Sequence, residues 1–161
     1  FTTDYMRYAD YAGTYNFEYK NASIKVRMVP AGDEKTYWLE GLSPDFKLTF
    51  VYDKKTGTLT WSPEKIYTDP NKHEHWMCSW DAGDTGQIFR YAFLGFVVNK
   101  DFNKPGVFLT FTSTLAGYLD LDSMIIIEYN GSKKVGESTT VLVNGSAQIL
   151  MIKGMTKINN D

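Results

Sequence analysis

The chain has only one cysteine and no long apolar run, and each of these shortages excludes a class of protein. Cys78 has no partner for an intramolecular disulfide, so the fold depends on its hydrophobic core rather than on cross-links. The longest apolar runs, Phe93–Val98 and Met124–Ile127, are far shorter than the roughly 20 residues of a membrane-spanning helix. We therefore expect no transmembrane segment.

The sequence also lacks an excess of either charge. Seventeen Lys and Arg residues stand against nineteen Asp and Glu residues, and the net charge is -2. A surface that binds nucleic acid needs basic side chains to neutralise phosphates, so we expect no nucleic-acid partner. The hydrophobic share of 43% is that of an ordinary folded protein, and 161 residues fit one domain over residues 1–161.

No long helical period is present, and apolar residues alternate with polar ones instead. Tyr15, Phe17 and Tyr19 follow this alternation, and Asp53–Gly57 has the composition of a tight turn between two such runs. Residues 14–61 therefore predict an antiparallel meander. Its expected strands cover residues 14–19, 24–28, 37–40, 46–53 and 58–61.

The second half of the chain is more apolar and still favours strands. Met124–Ile127 carries three isoleucines, and the Asn130-Gly131 pair that follows is a hairpin signal. We predict an all-β fold, an antiparallel β-barrel or sandwich of about eight to ten strands. We expect residues 1–12 to form a lead-in segment with a short helix, and residues 154–161 to form a polar tail.

Residues 62–86 interrupt the alternation. They contain two prolines, two histidines, two tryptophans and Cys78, with no clear period. An irregular stretch of this length inside a compact domain is typical of functional segments. We expect one long irregular connection here, lying over one end of the β-structure, with a short strand at Lys65–Thr68.

Three stretches in the first part of the chain resemble a known kind of protein. Tyr11–Tyr15, Glu40–Leu42 and Val51–Thr60 resemble the uncharacterised, lipocalin-like β-rich modules of secreted surface lipoproteins of gut Bacteroidetes. The resemblance implies a location at the cell surface or in the periplasm, with a lipid anchor through a removed N-terminus. It also implies a binding or structural role beside neighbouring domains, and it supplies no defined catalytic residues.

His73 and His75 are the candidate metal ligands. Side chains two residues apart on an extended segment point the same way, so both imidazoles could reach one ion. Cys78, Asp81 or Asp84 would complete such a site, which would support a metal-assisted hydrolase. The alternative is a pair of solvated loop histidines beside an inward-packed Trp76.

Five side chains are the candidate ligand-binding set, because aromatic rings beside polar groups are typical of sugar recognition. The set consists of Trp38, Tyr67, His75, Trp76 and Trp80. The alternative is that the rings close the open end of the β-structure as a lid on the core.

These observations predict a non-enzymatic ligand-binding or structural module, with a glycan as the ligand and no cofactor. One alternative is a carrier of a small apolar molecule, which needs an open interior lined by Tyr15, Phe17, Phe50 and Phe111. The other is a hydrolase, whose acid–base chemistry would need two facing carboxylates. The candidate carboxylates are Glu64, Glu74, Asp81, Asp84, Asp120, Asp122 and Glu128.

Overall fold

A computed structural model describes residues 6–20, 22–61, 64–80, 91–96, 105–106, 108–113, 123–137, 148–150 and 152–160. These residues form thirteen strands and one short 3-10 helix, Tyr8–Tyr11. The strands are β1 (Gly13–Tyr19), β2 (Ala22–Pro30), β3 (Thr36–Glu40), β4 (Leu48–Asp53), β5 (Thr58–Trp61), β6 (Glu64–Thr68), β7 (Glu74–Trp80), β8 (Tyr91–Phe96), β9 (Phe108–Ser113), β10 (Ser123–Asn130), β11 (Lys133–Glu137), β12 (Gln148–Leu150) and β13 (Ile152–Asn159). No helix in this part of the chain has the length and apolar character needed to cross a membrane.

Eight strands close into an antiparallel barrel in the order β1-β13-β9-β8-β5-β4-β3-β2. Each of the first four strands pairs with the next one along the chain, so β1–β5 form the predicted meander. The barrel closes where β1 pairs with β13, so the two ends of the described chain lie side by side. The all-β prediction is confirmed, and the architecture is a barrel with an additional sheet.

The additional sheet has five strands, and it corrects the prediction of a long irregular connection. Its order is β11-β10-β7-β6, and β12 also pairs with β10. The expected short strand is present as β6. Residues 74–80 form a second strand, so the prediction of an irregular connection is wrong over these residues. The alternation was hidden because the inward-facing residues of β7 include a histidine, His75, beside the apolar Met77.

The predicted polar tail is also wrong over most of its length, because Ile152–Asn159 is the barrel strand β13. Met155 is fully buried, and two residues later Lys157 occupies the same inward phase with only 2% exposure. The Lys157 ammonium donates a hydrogen bond of 2.9 Å to the backbone carbonyl of Asp10. A buried lysine conceals the period of a strand from sequence reading, since lysine is almost never fully buried.

The described side chains inside the barrel pack against one another. Tyr15, Phe17 and Phe50 have an exposed fraction of zero, and they belong to one core cluster. A ring that lined a hollow large enough for water would be accessible to that hollow, so these three rings line none. Phe111 lies on β9, but its side chain is outside the described part of the structure. The same core cluster includes Met77 and Ile126 of the second sheet, which therefore packs against the barrel.

Tyrosine hydroxyls tie the segment before β1 to the barrel. Tyr11, in the 3-10 helix, donates to the carbonyl of Gly57 in the turn between β4 and β5. Tyr52 donates to the carbonyl of Met6 at 2.8 Å, and Tyr37 donates to that of Tyr8 at 2.5 Å. The short helix expected near the N-terminus is thus present, and hydrogen bonds from three separate parts of the barrel hold this segment.

We expect Tyr11→Phe to lower the free energy of unfolding by about 1–2 kcal/mol, because it removes the donor from a buried carbonyl. In a chain of this size the melting temperature should fall by roughly 2–4 °C for each kcal/mol. Thermal unfolding followed by circular dichroism measures the change.

Tyr19→Phe is the matched control, since the buried Tyr19 hydroxyl has no hydrogen-bond partner among the described residues. Removing that hydroxyl should leave the melting temperature unchanged or raise it. Equal losses in the two variants would show that the Tyr11–Gly57 hydrogen bond contributes nothing specific.

Candidate functional site

A groove of about 810 Å³ lies on the outer face of β4 and β5. Its floor is built by alternation: Leu48 and Phe50 point into the core, so Thr49 and Val51 point outward. Val51 is 53% exposed and pairs with Thr60 on β5. The walls come from the loop between β2 and β3 and from the turn between β4 and β5. The lining residues are Asp33, Glu34, Lys35, Thr49, Val51, Tyr52, Asp53, Lys54, Lys55, Thr60 and Glu64.

Glu64 enters the groove because β5 ends at Trp61, so that two residues of β4, Leu48 and Thr49, have no pairing partner on β5. The last pair between these strands is Phe50 with Trp61, and the backbone N–H of Thr49 lies beyond it. The carboxylate of Glu64, the first residue of β6, accepts that N–H at 3.1 and 3.2 Å through its two oxygens. The half-buried Thr49 N–H thus has a hydrogen-bond acceptor at a position where β5 supplies none.

Burial raises the pKa of Glu64 to about 7. The hydrogen bond from the Thr49 N–H acts in the opposite direction, but it offsets only part of the cost of desolvation. Near neutral pH the carboxyl group is therefore divided between its two protonation states. It can donate a hydrogen bond to a ligand in one state and accept one in the other.

Two of the acidic residues of the groove shape its walls. Asp33 accepts the backbone N–H groups of Lys35 at 2.9 Å and Thr36 at 2.7 Å, and these bonds, led by that from Lys35, lower its pKa. Asp53 accepts the backbone N–H of Lys55 at 2.8 Å. Both carboxylates thus serve as turn acceptors, which is a common role for aspartate.

The remaining charged side chains of the groove are exposed and of both signs. Lys35, Lys54 and Lys55 provide ammonium donors, and Glu34 provides a further carboxylate. With three basic and four acidic side chains in total, the groove has no strong excess of either charge. Such a surface offers hydrogen-bond donors and acceptors together.

The predicted aromatic set does not form one platform among the described residues. Trp38 lies on the outer face of β3, where the Lys47 ammonium is 3.6 Å from its ring centroid and covers one face. His75 and Trp76 are consecutive on β7 and so point to opposite faces of the second sheet. Trp80 ends β7, and its side chain is outside the described residues.

Tyr67 and His75 do lie together. Their rings stack with centroids 4.2 Å apart and an interplanar angle of 11°. His75 is only 5% exposed, so it is a packed interior side chain rather than a surface for a ligand. On the opposite face of the sheet, the Trp76 indole donates to Glu74 at 3.0 Å, and Trp76 and Tyr129 both pack against Ile127.

The predicted histidines each contact a carboxylate near the turn between β6 and β7. His73 lies 2.6 Å from Glu128, and His75 lies 2.9 Å from Asp69. Asp69, His73 and Glu128 place one potential metal-ligand atom each within 4.8 Å of the others. The sequence alone does not distinguish Glu128 from the other candidate carboxylates. Its closeness to His73 depends on the pairing of β10 with β7. Asp81 and Asp84 are outside the described residues.

Comparison with known families assigns the chain to one of them. Residues 1–127 match the sequence profile of DUF4987, described as a domain of unknown function. The chain belongs to the DUF4987 family. No curated protein and no solved structure gave a match. In this DUF4987 chain the matched region contains every residue that lines the groove, whereas Glu128 follows directly after it.

We expect Glu64→Gln to remove a pH dependence of stability from this DUF4987 domain. The folded state holds the Glu64 proton more tightly than the unfolded state, so the stabilisation is complete below about pH 4.5 and is lost as pH rises through about 7. At higher pH the variant should be more stable than the wild type by about 1–2 kcal/mol, a reduced value because water screens a partly exposed group. Urea unfolding at a series of pH values measures this difference.

Glu34→Gln is the control, since it neutralises an exposed carboxylate of the same groove. Its unfolding free energy should run parallel to that of the wild type across the pH range. A Glu64→Gln curve that also ran parallel would contradict the assignment of a raised pKa to Glu64.

Proposed function

We propose that this chain is a non-enzymatic module that binds a neutral glycan in the groove over β4 and β5. The observation that carries the proposal is the half-buried Glu64 at the floor of an open, polar groove. A concave surface that combines a carboxyl group of shifted pKa with several convergent polar groups is the default candidate for a binding site. The volume of about 810 Å³ lies within the usual range for small-molecule sites.

The chemistry of the groove favours a ligand with many hydroxyl groups. Lysine ammonium groups donate hydrogen bonds, carboxylates accept them, and the Thr49 and Thr60 hydroxyls can do both. Val51 adds an apolar patch against which the C–H groups of a sugar ring can pack. Because acidic and basic side chains nearly balance, a neutral glycan fits this surface better than a strongly charged polymer.

We place the module in a surface or periplasmic protein of a bacterium, beside neighbouring domains. Support for this location comes from the resemblance of its turns to those of secreted surface lipoproteins, and an eight-stranded barrel is compatible with a lipocalin-like module. Among the alternatives, the apolar carrier is disfavoured, since the described rings expected to line its cavity have no accessible surface.

A glycoside hydrolase is the second candidate, and one observation favours it. A glutamic acid with a pKa raised to about 7 by burial has the property required of a general acid. Hydrolysis needs a second carboxylate across the scissile bond, however. The Asp33 and Asp53 carboxylates of the groove already accept hydrogen bonds from their own turns.

The test is a glycan array of neutral and acidic oligosaccharides, followed by calorimetric titration with the strongest hit. We expect saturable binding of a neutral oligosaccharide that changes little between low and high salt. Val51→Arg should weaken it at least about tenfold, because a long side chain at this exposed position fills the groove. Ser23→Arg is the matched control, at an exposed strand position outside the groove.

Binding that persists in Val51→Arg, or no binding to any glycan on the array, would overturn the proposal. The titrated oligosaccharide is also analysed by chromatography after long incubation. We expect to recover the intact sugar. Shortened products that form with the wild type but not with Glu64→Gln would overturn the binding module and support the hydrolase.

A further inference from the structure

Three side chains from separate segments converge beside the turn between β6 and β7. Asp69 follows β6, His73 precedes β7, and Glu128 lies on β10. One nitrogen or oxygen atom from each lies within 4.8 Å of the other two. None of the three lines the groove over β4 and β5, so they are independent of the proposed glycan site.

We infer that Asp69, His73 and Glu128 form a binding site for a divalent transition-metal ion, with Zn²⁺ as the best match. One imidazole and two carboxylates are ligands that Zn²⁺ accepts, whereas Ca²⁺ prefers six to eight oxygen ligands. Three protein ligands around a tetrahedral ion leave the fourth position to water.

The spacing of the ligand atoms fits one ion after small movements. Zinc–nitrogen and zinc–oxygen distances are about 2.0–2.2 Å, so two ligands of one ion lie at most about 4.4 Å apart. The ligand atoms all lie within 4.8 Å of one another, so no separation exceeds that limit by more than a few tenths of an ångström. His73 and Glu128, which are 2.6 Å apart, must separate slightly to admit the ion between them. All three residues are partly exposed, so their side chains have room for these adjustments.

Asp69 is already held in a fixed orientation. One of its oxygens accepts the backbone N–H groups of Asn71 at 2.9 Å and His73 at 3.0 Å. Its other oxygen contacts the His75 ring nitrogen Nε2 at 2.9 Å. Carboxylates that bind metals are commonly oriented by such outer hydrogen bonds. A fixed ligand loses less conformational entropy when the ion binds.

The two ring nitrogens of His75 differ in their hydrogen bonding, and one of them orients Asp69. An ionised carboxylate only accepts hydrogen bonds, so Nε2 of His75 carries the proton and donates to Asp69. The other ring nitrogen, Nδ1, is buried and has no hydrogen-bond partner among the described residues. Buried polar atoms are rarely left in this condition, and each case calls for an explanation. The hydrogen bond from Nε2 to Asp69 holds the ring in this position in spite of the cost of burying Nδ1, and it orients the carboxylate.

A bound ion would cross-link two neighbouring parts of the second sheet. Asp69 and His73 belong to the turn at the end of one hairpin, and Glu128 belongs to the strand that pairs with β7. An ion bound by all three would stabilise the folded state, since the unfolded chain does not hold these residues together.

Calorimetric titration of the chelator-treated full chain with zinc chloride tests the inference. We expect one equivalent to bind, Glu128→Gln and His73→Gln each to weaken binding at least about tenfold, and calcium chloride to give no comparable heat. Zinc should also raise the melting temperature of the wild type but not of either variant. Circular dichroism of the metal-free variants shows whether they remain folded.

Two controls separate the cluster from other zinc ligands. Glu74→Gln changes a nearby carboxylate that contacts Trp76 and Lys65 instead of the cluster, and it should bind zinc like the wild type. Cys78→Ser removes the only thiol and should also bind normally. No zinc binding by the wild type, unchanged binding in the folded Glu128→Gln and His73→Gln variants, or loss of binding in Cys78→Ser would overturn the inference.

Discussion

The early end of β5 is the constraint on which the groove and the second sheet both depend. Strand pairing stops at Trp61 while β4 continues, so the Thr49 N–H needs an acceptor from elsewhere. Glu64 supplies it at the first position of β6, and the chain then runs into the second sheet instead of adding a further barrel strand. The same contact brings a carboxylate to the floor of the groove and takes it partly out of water. Its raised pKa is thus a consequence of how the two sheets are joined.

Barrel closure and sheet packing hold this junction in place. β1 pairs with β13 over most of its length, which joins segments more than a hundred residues apart in sequence. Gly13 permits the close approach at one end: its φ is +147°, and a Cβ there would lie 2.3 Å from the Asn159 carbonyl oxygen. Met77 and Ile126 extend the barrel core into the second sheet. The position of Glu64 therefore depends on the whole fold and not on its own strand alone.

The sequence predicts the fold correctly where the structure is local. Alternation and the Asp53–Gly57 turn were sufficient to predict the meander of β1–β5, because each strand pairs with its neighbour along the chain. The prediction failed at β7 and β13, where His75 and Lys157 occupy inward positions and disguise the alternation. Neither the Glu64–Thr49 contact nor the convergence of Glu128 with His73 has a local sequence signal, since both depend on pairings between distant strands or on where a ladder ends.

The central claim is that Glu64 is a half-buried acid at the floor of the groove. Carbon-13 NMR of its side-chain carboxyl group, assigned by comparison with Glu64→Gln, measures its titration directly. We expect a midpoint near pH 7. A midpoint near 4.5, the ordinary value, would show a solvated carboxylate and would contradict the burial of Glu64 in the groove.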